Sequence, residues 1–300
     1  MIHAPMNLLW SYAYARKQNI AQAVDKLGVP QVRFFADSGA HSARTLGIHI
    51  GVDDYADWLH RWHGHFTIYA NLDVIYGPEA TWNNQRALES LGLNPMPVFH
   101  TGEPWAYLEK YLDEGYTYIA LGKLLGNSWT KLEPWLAKAF RIAEGRAVFH
   151  GFGLTAWNAI RAFPFYSVDS SSWTSPYRFG TLRLFERGRW VTVKLRDRDD
   201  VIAHRKILET YNAPIGALTR TGYDVNVVGR LSAQAYIEAG EWVAKKHGPI
   251  PLPPGKGYPT GTPMYPHSVH AEQAGRFHLY LAEGSVNRHL HHANALRRHQ

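Results

Sequence analysis

None of the 300 residues is cysteine. That absence excludes disulfides, thiolate nucleophiles, cysteine-ligated zinc and iron–sulfur clusters, and it agrees with a reducing compartment. No apolar run approaches the length needed to cross a bilayer, so no membrane partner is expected. The opening Met1-Ile-His-Ala-Pro-Met-Asn-Leu-Leu-Trp10 has neither a basic stretch followed by a long apolar one nor a small-residue cleavage site, and a cytoplasmic protein is expected. Acidic residues are the minority: 25 Asp and Glu face 32 Lys and Arg, a formal charge of +7, and 17 His add to it on mild acidification. The balance favours a polyanionic partner without naming one. Aromatic residues, by contrast, are abundant: 11 Trp, 17 Tyr and 12 Phe in a chain that is 45% hydrophobic can bury a full core, which excludes general disorder.

Up to about residue 170 the pattern alternates. Short β-like apolar runs at 7–12, 32–37, 67–73, 96–100, 116–122, 146–150 and 165–169 are separated by amphipathic stretches at 15–27, 53–63, 79–91, 104–114, 132–143 and 155–163. In the second of these stretches Asp53 is placed to cap the helix, and Tyr55, Trp58, Leu59 and Trp62 form its apolar stripe. Strands separated by helices of this length pair in parallel with right-handed crossovers, which predicts an α/β fold of the TIM (β/α)8-barrel type. Each run after the first ends on a polar or small residue: Asp37, Asp73, His100, Gly122, His150 and Asp169. In such a barrel these groups converge at the end that carries the chemistry.

Beyond residue 175 the rhythm changes. Runs at 179–185 and 190–195 predict an antiparallel hairpin, an insertion of about residues 177–196, whose Arg183, Arg187, Arg189 and Lys194 are candidates for nucleic-acid phosphates. A helix at 203–211, an eighth strand near 224–228 and a helix at 232–247 complete an expected barrel domain of residues 1–247. Residues 248–300 are expected to be a Pro/Gly-rich linker followed by a helical extension rich in His and Arg, including Arg297 and Arg298. Gly255-Lys256-Gly257 is no phosphate loop, because the long glycine spacing and the following Ser or Thr are missing.

The segment Phe34-Phe-Ala-Asp-Ser-Gly-Ala-His-Ser42 puts a carboxylate at the end of a buried run, followed by Ser38 and Gly39, which let the backbone turn sharply beside a flat ligand. Asp37-Ser-Gly-Ala-His-Ser42, Asn71-Leu-Asp-Val-Ile75, Pro97-Val-Phe-His100, Ile119-Ala-Leu-Gly122, His150-Gly-Phe-Gly153 and Ser167-Val-Asp169, taken in order, resemble the strand ends of the tRNA-guanine transglycosylase superfamily. The similarity is greatest to its phage and bacterial DpdA-like members, which put 7-deazaguanines into DNA, and it spans about residues 32–173. What the resemblance implies is a cofactor-independent, metal-free base exchange. Asp169 would be the nucleophile and Asp37 the general acid and base. Asp73 would recognise the base, with His100, Gly122, Gly151, Phe152, Gly153, Ser38 and Gly39 lining its pocket. The implied partners are a nucleic acid and a free 7-deazaguanine. Such chemistry needs carboxylates in distinct roles at one anomeric carbon. Phe152, Trp173 and Trp129 are candidates to sandwich a base taken out of its stack.

The resemblance departs from the tRNA-acting enzymes in one respect: without cysteine the chain cannot build their zinc subdomain, and a basic hairpin occupies that interval. DNA is therefore the expected polymer, with tRNA the alternative. Two other readings stay open. A metal-dependent barrel hydrolase would use His100, His150 and Asp169; the pair His63-Gly-His65 precedes its strand, which predicts that it lies on the opposite face of the barrel from them. A non-catalytic nucleic-acid-binding barrel would need only the basic charge.

Overall fold

The computed structural model describes residues 6–26, 32–219, 222–258 and 275–283. Its centre is one curled, all-parallel sheet of eight strands: β1 (Met6–Ser11), β2 (Val32–Asp37), β3 (Ile68–Tyr69), β4 (Val98–His100), β5 (Tyr118–Gly122), β6 (Val148–Gly151), β7 (Ser167–Ser170) and, after an intervening antiparallel pair β8 (Thr181–Glu186) and β9 (Arg189–Lys194), β10 (His278–Glu283). The order is β3-β2-β1-β10-β7-β6-β5-β4. The two edges are linked by a single parallel bridge, Ala70 to Met96, in which Met96 N–H donates to Tyr69 O and Asn71 N–H to Met96 O, both at 2.9 Å.

The strands are buried on both faces, so they are near-continuous apolar runs, as parallel strands flanked by helices must be. Val32, Phe34, Phe35 and Ala36 in β2 and Ile119, Ala120 and Leu121 in β5 are all buried. Helices Val52–Trp62, Pro78–Ser90, Trp105–Asp113, Trp129–Ala143 and Trp157–Ala162 fall near the expected intervals. The first crossover is broken into Tyr12–Ala15 and Ile20–Asp25, the latter capped by Asn19, whose side chain accepts from Gln22 N–H. Asp53 is not a cap. Gly51 takes that position and Asp53 lies in the first turn, where its charge still complements the helix dipole.

The expected eighth strand near 224–228 is instead a helix start. Asp224 accepts hydrogen bonds from Asn226 and Val227 N–H and opens the helix Val225–His247. A good side-chain cap outweighs the strand preference of the β-branched run behind it. The strand that completes the sheet, β10, comes from the stretch expected to be a helical extension, and it fits between β1 and β7 with Leu8 opposite Leu281 and Asp169 opposite Tyr280. Residues 284–300, with Arg297 and Arg298, lie outside the described residues.

Within the expected linker, residues 253–258 form an ordered strap beneath the start of β5. Thr117 N–H donates to Lys256 O at 3.0 Å and Lys256 N–H to Gly115 O at 2.9 Å. Glycine is required there: a Cβ on Gly255 would sit 2.4 Å from Thr117 Cγ2, and one on Gly257 2.6 Å from the carbonyl oxygen of Tyr118.

The hairpin β8–β9 does not extend the main sheet. Leu182, Leu184, Val193, Leu208, Val228 and Leu231 join it to the helices of residues 198–247 in a second core. Its turn is docked on the flank, where Trp157 Nε1–H donates to Gly188 O at 2.9 Å and Gly188 packs against Trp242.

Candidate active site

Five strand ends bring their polar groups together, because residues of one parity on each strand point to the inside of the curl. Two clusters result, with Asp37 coupled electrostatically to both.

The first spans β2, β3 and β4. Asp37 ends β2, and its Oδ2 accepts from Gly39 N–H at 3.0 Å. Gly39 holds a positive φ of 76°, and a Cβ there would overlap Ser11 Oγ, so no other residue fits this turn. Ser38 Oγ donates to Asp73 Oδ1 at 3.1 Å. The other oxygen of Asp73 lies 2.9 Å from His100 Nε2, and His100 Nδ1 lies 2.8 Å from Glu103 Oε1. Glu103 Oε2 also accepts from His100 N–H at 3.0 Å, which pins the turn after β4. Burial by itself would lower the His100 pKa, but hydrogen bonds and charge from Asp73 and Glu103 outweigh it and raise the value to about 9. Asp37 moves in the direction of neutrality: burial, then the charges of Asp73 and Asp169, raise its pKa to about 8 against the opposing pull of the Gly39 and Ser38 N–H groups. At neutral pH His100 is therefore a cation and Asp37 a protonated acid.

The second cluster spans β6 and β7. Asp169 Oδ1 accepts from Gly153 N–H at 2.7 Å and lies 3.3 Å from His150 Nε2. His150 Nδ1 is 2.5 Å from Ser167 Oγ, which is in turn 2.5 Å from Tyr118 OH. His150 and Ser167 have no exposed surface. Burial lowers the His150 pKa, and the nearby Asp169 only partly offsets it, so the ring is neutral.

Several expected pocket residues have other work. Both ring nitrogens of His100 are engaged by carboxylates, so it holds Asp73 instead of facing a purine carbonyl. Gly122 makes room for that imidazole: a Cβ there would lie 2.5 Å from His100 Cδ2. Gly151 is tight against Leu154 and Phe165, a packing constraint. Gly153 directs its N–H at Asp169. Phe152 is half-buried, with its ring 4.7 Å from His150 and 5.7 Å from Phe35. Trp173 is buried, its Nε1–H bound to Ala282 O at 2.9 Å, and Trp129 packs toward Phe163 at the start of a flanking helix.

Four participants were given no role from the sequence: Glu103, Tyr118, Ser167 and Ser11. Glu103 was detectable as the acid three residues after His100 in a Thr-Gly turn. Ser11 ends β1 opposite Asp37 and is buried, with no hydrogen-bond partner for its hydroxyl. His63 and His65 lie in a turn that precedes β3, at the opposite end of the strand from Asp73, so they do not join the site. Among the described residues no group of three or more His, Asp or Glu side chains is arranged to hold a metal ion.

The basic hairpin residues divide. Arg183 is half-buried with its guanidinium 4.7 Å from the Trp190 ring centre, while Arg187, Arg189 and Lys194 are exposed. No helix among the described residues is long and apolar enough to cross a membrane. Comparison with protein-family models, with curated proteins and with solved structures finds no match to this chain.

Proposed function

We propose that this protein exchanges guanine in a nucleic acid, DNA in preference to tRNA, for a 7-deazaguanine through a covalent Asp169–sugar intermediate. The single observation that carries the proposal is geometric: Asp169, held on one oxygen by Gly153 N–H and His150, shares the strand ends with a second buried carboxyl, Asp37, whose pKa burial and the charges of Asp73 and Asp169 raise to about 8. We take the curled sheet to close as a (β/α)8-type barrel through the Ala70–Met96 bridge, which sets both groups and Asp73 around one mouth.

In the first half-reaction an oxygen of Asp169 bonds to the anomeric carbon as the glycosidic C–N bond breaks. The electron pair leaves with guanine, and guanine takes the proton from Asp37. In the second, Asp37, now a carboxylate, takes the ring N–H proton of the incoming base. The freed nitrogen attacks the anomeric carbon and displaces Asp169. Each oxygen of Asp73 accepts one hydrogen bond from the protein and keeps a lone pair for the ring N–H and exocyclic amine of guanine. The exposed Arg187, Arg189 and Lys194 offer the polymer backbone a cationic flank.

The test is to incubate the purified protein with labelled guanine and either duplex DNA or tRNA. Label entering DNA supports the proposal. Label entering tRNA alone reassigns the polymer, and label entering neither overturns base exchange.

A further inference from the structure

We infer that a buried hydrogen-bond chain from Tyr118 through Ser167 to His150 positions Asp169, holding its Oδ1 and leaving Oδ2 as the oxygen that reacts. Reaction at Oδ2 rests on the base-exchange proposal; the hydrogen-bond chain itself does not.

For a neutral imidazole the geometry allows one direction. A carboxylate only accepts hydrogen bonds, so His150 Nε2, 3.3 Å from Asp169 Oδ1, carries the ring proton. The Nδ1 of a neutral imidazole is then an acceptor, and Ser167, 2.5 Å away, must donate to it. The serine has only one proton, so toward Tyr118, also 2.5 Å away, it accepts, and the phenol donates. The Asp169 carboxylate thus fixes the histidine tautomer, and the buried Tyr118 hydroxyl, two hydrogen bonds from the ring, closes the chain as its terminal donor. The surroundings keep the imidazole neutral. Phe35 and Phe152 present ring edges at 4.7 Å and Tyr280, from β10, stands 6.2 Å away. The titratable groups that face the chain are Asp169 from β7, Tyr280 from β10 and Tyr166, which precedes β7 and lies 5.1 Å from Tyr118.

The consequence is chemical. An imidazolium in this position would carry a second proton on Nδ1, directed at Ser167, and would offer its Nε2 proton to the nucleophile. A neutral donor steadies Asp169 without quenching it. When the incoming base displaces Asp169, the carboxylate re-forms against two donors already in place, Gly153 N–H and His150 Nε2–H. His150, Ser167 and Tyr118 are positioning residues, acting through Asp169.

The experiment is nitrogen NMR of histidine-labelled full-length protein. Between pH 5.5 and 8 His150 is expected as a single tautomer, with Nε2 protonated and Nδ1 not. Ser167→Ala should mix the tautomers and lower kcat about tenfold, the worth of one hydrogen bond, with KM for the free base unchanged. Ser167→Thr should restore both. A ring protonated on Nδ1 at pH 7, alone or together with Nε2, overturns the chain, as does a Ser167→Ala protein that folds with wild-type tautomer and kcat. If the wild-type spectrum shows Nε2–H while no polymer gains a base, the chain is supported and the base-exchange proposal is what fails.

Discussion

His100 and His150 occupy equivalent places at the ends of β4 and β6, each with a carboxylate oxygen within 3.3 Å, yet they carry opposite charge states. Burial lowers the His100 pKa, but a carboxylate on each ring nitrogen, Asp73 and Glu103 together, outweighs that cost, so the value rises to about 9. His150 has one carboxylate and one hydroxyl and is wholly enclosed, so burial wins and its pKa falls. Partner count against burial therefore decides the charge of a strand-end histidine, and residue type does not. One result is a cation that anchors Asp73. The other is a neutral donor that steadies Asp169.

The largest effect should come from taking the acid off the neutral arm. Asp169→Asn is expected to reduce base exchange by about four orders of magnitude or more, with circular dichroism and nucleic-acid affinity close to wild type. Exchange within tenfold of wild type would remove Asp169 from the mechanism.

Asp37 extends the comparison, since burial favours its neutral form as it does that of His150. Its pKa in the folded state is about 8, far above the unfolded value of about 3.9. The folded protein thus holds a proton that the unfolded chain releases, and stability falls as pH rises from about 4 to about 8. Asp37→Asn should abolish exchange yet stabilise the fold at pH 8 by on the order of a few kcal/mol, read as a higher denaturant midpoint. An unchanged or lower midpoint would show that Asp37 is not held protonated.

Removing one acid from the cationic arm sharpens the same contrast. Glu103→Gln should lower the His100 pKa by about one to two units, measured by proton NMR titration. In the wild type a histidine raised to about 9 stabilises the fold in full below pH 6.5, and that contribution is lost as pH climbs through 9. The variant should lose it at lower pH. A His100 titration that does not move would mean that Asp73 alone sets its charge.

The smallest effect on the chemistry is expected from the flank. Changing Arg187, Arg189 and Lys194 together to Gln should weaken DNA binding and reduce the log–log salt slope by about two to three, while binding of the free base is unaltered. Unchanged slope and affinity would place the polymer away from the hairpin.

Much of this arrangement is legible along the chain. Each strand of the first seven is a short apolar run closed by a turn residue, and a parallel strand buried on both faces must have that form. Asp37, Asp73, His100, His150 and Asp169 could be picked out because each stands where such a run stops. Ser167 could not, being a small polar residue inside a strand, where serine signals nothing by itself, and Glu103 offered only its place in a turn three residues after His100. The strand at His278–Glu283 was hidden by a stretch of helix-like composition, and Val225–Val228 has the β-branched look of a strand until Asp224 caps it into a helix.

What the amino-acid sequence determined by itself is the alternation of strand and helix and the set of side chains at the strand ends, because periodicity and turn chemistry are properties of neighbouring residues. The tertiary structure alone decided which strand completes the sheet, that the hairpin docks on the flank through Trp157 and Trp242, and which histidine is charged. Those outcomes depend on groups far apart in the chain, Asp73 and His100 being 27 residues apart and His150 and Asp169 19. Burial and electrostatic pairing act only between groups that the folded chain has brought into contact.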